Sequence, residues 1–562
     1  MSPGIRRALS GMAGAAALIA AITVVTRLVG FGRWFAQSYA LGQTATGTAY
    51  ATANQMPNVF FEVVAGGALA GAVVPLLAGP LANDLRGDVD RIASALLTWA
   101  LAVLLPASIL LAVLAGPLVG LLISPAGPHD DPVVRQGTID LASHLIVVFA
   151  PQVVLYGIGV VLTGILQAQR RFVWPAAAPL ASSVVVIVSY LVFRFLADGA
   201  VKHPGALPPE AVVWLGWGTT AGVAAMSLPL LIPVMRSGVR LRLTFGFPPG
   251  VGVRARRLAF AGIGGLLAQQ AAMLVTLRLA NAYGAPDGGT INIFQYAQAV
   301  YFLPYAVLAV PLATAAFPRL AQHAAAGDHG RYGRLVAIST RAVLLVSAAG
   351  AAVLVATAPA VAQMFGAIDA SHASASVVAA MAPTLVLLAP GLFGYALIFQ
   401  HSRVLFALER SRAAVTAVAI GWLAVVVASV IAVRAFAPQA ADGPGTLRGL
   451  AIGNTIGMTV AAIVLLVAVR RSAGAAALAG TPRTFAVALC GAAAGAVGGR
   501  WVVDAVLCIM DDGVGTALLA GLGGAALAAL VVLAATWVAD RSTISGALTA
   551  DRAPANGKER HE

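Results

Sequence analysis

The chain has 562 residues, 60% of them apolar and only 10% charged, with a mean hydropathy of +0.90. A soluble chain carries about 25% charged residues, which argues against a large water-soluble enzyme. Disorder is excluded because it needs low hydrophobicity and high charge, and two cysteines, Cys490 and Cys508, cannot staple a disulfide scaffold. The net charge of +14 fits basic residues gathered on cytoplasmic loops better than a nucleic-acid partner. The composition predicts an all-α polytopic membrane protein.

A bilayer core of about 30 Å takes roughly 20 apolar residues as helix. Fourteen stretches meet this in chain order: 13–40, 49–79, 92–123, 137–167, 174–197, 210–235, 257–282, 291–317, 335–365, 375–400, 406–433, 448–469, 483–508 and 513–539. The second contains Pro57 and Pro75, the tenth Pro383 and Pro390. With the N-terminus inside, most basic residues fall on the even-numbered loops and the tails, among them Arg86, Arg91, Arg170, Arg171, Arg240 and Arg242. The outer side has Arg135, Arg194, Lys202, Arg434, Arg448 and Arg500. That bias predicts both termini in the cytoplasm. The apolar run after Arg7 outlasts a signal peptide's h-region and contains Arg27 and Arg33, so it reads as a retained first helix. Cys490 and Cys508 read as small core residues.

Arg27, Arg33 and Arg278 fall inside expected spans. An arginine at mid-bilayer costs about 2.5–3.5 kcal/mol on insertion scales, so it faces a partner or a wet cavity; the alternative is snorkelling to an interface. Arg27 and Arg33 stand about 9 Å apart along one helix, on faces about 120° apart, with Gly30 and Gly32 between them. The guanidinium is permanently charged and forked, which suits phosphate; two facing a cavity would clamp a diphosphate. In the second span Pro57 is expected to kink the helix. Glu62 is the clearest intramembrane acid, either as counter-charge to Arg27 or Arg33 or as a proton or cation acceptor. Gly66 and Gly67 offer close helix packing. Asp84, Asp88 and Asp90 alternate with Arg86 and Arg91 and read as a solvated turn. His144 and His401 have no partners at metal spacing, and no phosphate-binding GxxxxGK[ST] run occurs. Neither metal nor cofactor is expected.

The chain repeats itself. Val73-Val74-Pro75-Leu76-Leu77-Ala78 recurs as Ala316-Phe317-Pro318-Arg319-Leu320-Ala321, and Ile165-Leu166-Gln167-Ala168-Gln169-Arg170-Arg171 as Val404-Leu405-Phe406-Ala407-Leu408-Glu409-Arg410. Duplication of a six-span unit keeps both copies in one orientation. The expected organisation is an N-lobe over 1–245, a C-lobe over 246–472 around a central cavity, two extra helices over 473–540 and a cytoplasmic tail over 541–562. Two lobes around a cavity describe an alternating-access carrier rather than a pore.

Thr26-Arg27-Leu28-Val29-Gly30-Phe31-Gly32-Arg33 resembles the first-helix signature of the MurJ/MviN family, the lipid II flippases of the multidrug/oligosaccharidyl-lipid/polysaccharide exporter superfamily. Met56-Pro57-Asn58, Gly67-Ala68-Leu69 and Val73-Val74-Pro75 are similar to its second helix. Gly164-Ile165-Leu166, Arg171-Phe172 and Pro175-Ala176-Ala177-Ala178-Pro179 resemble its fourth-to-fifth connection; Tyr296-Ala297, Pro304 and Phe317-Pro318 its eighth helix. The family's cavity arginines of the first helix match Arg27 and Arg33. Its second-helix arginine pair falls at Phe61 and Glu62, its eighth-helix arginine at Ala299 and its early second-helix acid at Thr48. These departures resemble the actinobacterial branch.

The resemblance implies a flippase carrying undecaprenyl-diphosphate-linked peptidoglycan precursor across the bacterial inner membrane for cell-wall synthesis. Arg27 and Arg33 would hold the diphosphate, helped by Arg278, Asn58 and Gln298, with the lipid tail along the last two helices. Expected partners are lipid II, membrane lipids and a coupling cation, with cell-wall synthesis proteins as further candidates. Alternatives are an exporter of another polyprenyl-linked glycan or of a drug and, lower, an integral-membrane transferase or a cell-wall scaffold.

Overall fold

The computed structural model describes residues 12–63, 70–123, 131–260, 263–369, 375–511 and 513–539. Helices account for nearly all of them. In hydrocarbon an unpaired backbone group costs several kcal/mol, so a spanning segment must close its hydrogen bonds internally.

Eleven helices among the described residues are long and apolar enough to cross a membrane, or twelve when Ala375–Leu388 and Gly391–Ala407, bent by 51° to each other, count as one span. They coincide with the third to fourteenth expected stretches. The first two differ. The first is the 30-residue helix Met12–Leu41, outside that count, and the described parts of the second are the helices Ala45–Phe61 and Ala70–Ala82. The structure therefore supports eleven or twelve spans and does not establish fourteen. A proline inside a helix removes a donor. Pro390 opens the second arm of the bent pair. Pro57 precedes a π-turn at Glu62 and Val63, where the Glu62 amide donates to both Asn58 O and Val59 O. Gly66 and Gly67 lie outside the described residues.

The chain divides into two compact units. One comprises 1–293, 368–377 and 439–444; the other comprises 294–367, 378–438 and 445–562. In the first, the Pro132–Ala168 helix packs against Ala45–Phe61, Arg86–Val113 and Pro209–Ser227. A buried polar thread joins its neighbours: Tyr50 Oη lies 2.8 Å from Tyr190 Oη and 3.2 Å from Thr219 Oγ1, and Tyr190 donates to Gln37 Oε1 at 3.3 Å. Between helices in lipid, such bonds and close packing replace the missing hydrophobic drive.

An extended segment after Gly238 is strapped along the Arg86–Val113 helix. The carboxylate of Asp90 accepts from the Arg240 amide at 2.9 Å, Ser94 Oγ from the Arg242 amide at 3.0 Å and Thr98 Oγ1 from the Thr244 amide at 3.1 Å. Trp99 Nε1 donates to Phe245 O at 3.2 Å. The registers match because four helical residues rise about 6 Å and two extended residues about 6.6 Å. Asp90 is thus a structural acceptor as well as part of a charged turn. Beside it lies a cleft of about 770 Å³ lined by Asp84, Arg86, Gln169, Arg170 and Arg171 among others.

The internal repeat is visible in backbone detail. Asp84 and Gly327 occupy the left-handed region at φ 52° and 68°, and Arg170 and Glu409 at 60° and 58°. The Arg171 amide bonds Leu166 O at 2.8 Å, as the Arg410 amide bonds Leu405 O at 2.8 Å. The π-turn recurs as well, as Tyr305–Ala309 directly after Pro304.

In the second unit, Leu320, Tyr332, Val336, Val404, Leu405, Leu465 and Val469 form one buried cluster. The helices Thr481–Ile509 and Val514–Ala539 pack tightly on each other. A Cβ on Gly499 would meet Gly524 O at 2.6 Å, so the approach requires glycine. Their outer faces expose Trp501 (73%) and Val538 (77%). Cys490 and Cys508 are free and exposed, not core residues. A small apolar side chain suits a lipid-facing surface as well as a core, so burial could not be read from hydropathy.

Candidate functional site

Arg33 is half-buried on the Met12–Leu41 helix. Its guanidinium lies 5.7 Å from the Trp34 ring centroid, within cation–π range. This helix is held against Val173–Leu196, where Thr26 Oγ1 donates to Ala176 O at 3.2 Å. Arg27 is exposed, next to exposed Leu28 (67%). The two arginines thus differ in environment, one partly inside the unit and one on its surface. The helix continues unbroken past both glycines. Gly30 has only Ser183 Oγ nearby, at 3.9 Å, and Gly32 meets nothing within 4 Å, so neither marks a steric close approach.

The π-turn of the second span brings Asn58, Phe61 and Glu62 to the same region. Tyr156 donates to Asn58 Oδ1 at 3.3 Å, and Asn58 Nδ2 donates to Asn54 O at 2.8 Å. The rings of Phe61 and Tyr156 lie 4.5 Å apart. Glu62 is half-buried and forms no ion pair among the described residues, with Arg27, Arg33 or any other cation. Pro57 itself is buried.

Arg278, on Ile263–Tyr283, is half-buried, and its Nη1 is buried without a hydrogen-bond partner. One turn further on, Asn281 Nδ2 donates to Thr52 Oγ1 at 3.0 Å. Gln298 is half-buried on Thr290–Pro304 and belongs to the second unit. Arg27, Arg33, Asn58, Glu62 and Arg278 therefore lie in one unit and Gln298 in the other, and within the first the contacts join Asn58 to Tyr156. Tyr156 and Tyr50 were missed from sequence, because a tyrosine in an apolar span is silent in a hydropathy count. The repeat carried the signal for Tyr156. Its counterpart Tyr395, on Gly391–Ala407, packs beside the other π-turn, 4.8 Å from Tyr305 and 4.9 Å from Phe302 between ring centroids. Arranged this way, a permanent cation, an amide, phenol hydroxyls and an aromatic face can bind an anionic, polar head group.

The fold is that of helical membrane transporters. It resembles a lipid II flippase MurJ in an inward closed conformation, with a TM-score of 0.70 and 19% identity over 94% of this chain and 99% of that one. It also resembles an inward-facing multidrug resistance MATE family transporter of the MOP superfamily, at 0.63 and 17% identity over 82% and 98%, and an outward-facing one at 0.55 and 17% over 82% and 96%. The lipid II flippase MurJ family model matches residues 37–505, and the chain belongs to that family. Relatives include a probable lipid II flippase MurJ of Rhizobium meliloti (strain 1021), 27% identical over 357 residues, 62% of each chain. The lipid II flippase MurJ of Burkholderia cenocepacia is 24% identical over 350 residues, 60% of this chain and 62% of the relative. The alignments thus cover about three fifths of these relatives' length.

Proposed function

We propose that the chain is a carrier that moves lipid II across the bacterial cytoplasmic membrane by alternating access, with both termini in the cytoplasm. The observation that carries this reading is Arg33, a charge half-buried on the Met12–Leu41 helix, 5.7 Å from the Trp34 ring centroid and without an acid partner among the described residues. An unneutralised guanidinium in low dielectric is a strong attractor for a diphosphate. Family membership supports the same substrate. In this reading Arg27, Arg33, Asn58, Arg278 and Gln298 contact the head group, and Glu62 binds the coupling cation. Lobes 1–245 and 246–472 rock around the substrate, and the apolar outer face of 473–540 guides the polyprenyl tail. Membrane potential or the coupled cation gives direction, and no covalent step is involved.

Complementation of a strain depleted of its own flippase tests this. Wild type restores growth, and Arg33→Glu fails at equal membrane abundance. Growth restored fully by Arg33→Glu would contradict the reading.

A further inference from the structure

The two repeats differ at one buried interface. Helix Arg86–Val113 packs on Pro132–Ala168 in the first repeat, and the counterparts in the second are His329–Ile368 and Gly391–Ala407. The register is fixed by Gly87 and Gly330, Arg91 and Arg334, Pro151 and Pro390, Tyr156 and Tyr395, and Arg171 and Arg410. In this register the first repeat holds Val89, Leu96, Leu97, Val161 and Leu162. The second holds Tyr332, Ser339, Thr340, Gln400 and His401.

All five of the latter are buried, His401, Gln400 and Thr340 at 0% exposure. They bridge the two helices in rungs. Tyr332 donates to Val404 O at 2.7 Å, Gln400 Nε2 to Ser339 Oγ at 2.8 Å, and His401 Nε2 lies 3.4 Å from Thr340 Oγ1. The fold does not need polar groups here, since the first repeat closes the same interface with valine and leucine. A polar network in a membrane interior costs free energy unless every member is satisfied. This one is not: Gln400 Oε1 and the neighbouring Ser402 Oγ are buried without partners.

We propose that His401 is a proton-binding site of the second unit. His401 Nδ1 lies 3.2 Å from Leu397 O, one turn back, so Nδ1–H donates there and Nε2 accepts from the Thr340 hydroxyl. Taking a proton from water, Nε2 forms a new N–H bond and donates to Thr340 Oγ1. The Thr340 hydroxyl, both donor and acceptor, then turns its hydrogen toward its own helix's carbonyls. Both protonation states keep the rung.

Flanking elements carry Arg319 and His323 on Val310–Ala325, Arg334 and Arg341 on His329–Ile368 and Arg412 on Ser411–Phe436, while Arg403 is on Gly391–Ala407 with His401 itself. Among the described residues His401 forms no ion pair that would hold the imidazolium. The charged form is therefore stable only where this interface admits water, and proton uptake favours a hydrated conformer over the closed one described. The link to transport rests on the proposed function; the protonation does not.

Two measurements on the full chain in lipid nanodiscs and vesicles separate these claims. Hydrogen exchange at the imidazole C2 position, followed by mass spectrometry between about pH 5 and 8, should show a titration at His401, with a shifted midpoint in Thr340→Val. In vesicles, lipid II transport by wild type should depend on pH over that window, and His401→Leu, the residue the first repeat packs there, should lose the dependence. A flat, negligible C2 exchange at His401 would overturn the proposal, and an unchanged pH profile in His401→Leu would overturn its link to transport. Titration at His401 without any wild-type transport would support proton binding and overturn the flippase reading instead.

Discussion

A guanidinium keeps its charge at any depth in a membrane, so Arg33 must be matched by its surroundings rather than neutralised. Its guanidinium stands 5.7 Å from the Trp34 ring centroid, and in the same unit Tyr156 donates to Asn58 at 3.3 Å. Arg33→Lys keeps the charge but loses the planar fork and should bind a diphosphate lipid more weakly; Arg33→Ala should abolish binding, both readable by native mass spectrometry of the purified protein. Tyr156→Phe removes one hydrogen bond worth about 0.5–1.5 kcal/mol and should weaken binding by roughly two- to tenfold without loss of folded protein. Arg27 could be placed in the helix from sequence but not on a face of it, because a run such as Val24, Val25, Arg27 and Leu28 has no polar side to orient it. Glu62 was legible as an intramembrane acid. The π-turn it sits on is announced by no residue pattern.

At the scale of elements, the partner of the strap on the Arg86–Val113 helix was not legible in sequence. The alternation Val239-Arg240-Leu241-Arg242-Leu243-Thr244-Phe245 announces an extended segment, but its amides pair with single side chains at Asp90, Ser94 and Thr98 on a helix rather than with a strand. Ser94→Ala and Thr98→Val should speed hydrogen exchange at the Arg242 and Thr244 amides respectively, each leaving the other's rate near wild type. The long apolar helices were legible because about 20 apolar residues suffice to predict a span. The second span was less so, since its described parts carry Pro57 and the π-turn at Glu62 and Val63. In the final hairpin, Gly499→Leu should overpack against Gly524 at a cost of roughly 1–3 kcal/mol, seen as a lower unfolding temperature in detergent.

For the whole molecule, duplication explains more than span counting does. Matching left-handed turns at Asp84 and Gly327, and at Arg170 and Glu409, show one supersecondary design used twice. Short motifs around Pro75 and Pro318 made that duplication legible. What distinguishes the copies, the tyrosine partners and the polar rungs at His401, emerges only when side chains are placed. The central claim is that this family member carries lipid II and that Arg33 grips its diphosphate. Its most direct test is transport of labelled lipid II in sealed vesicles containing the purified full chain. Wild type should make the lipid accessible in the opposite leaflet while Arg33→Glu, inserted at equal density, leaves it where it started; transport by Arg33→Glu at the wild-type rate would contradict the account.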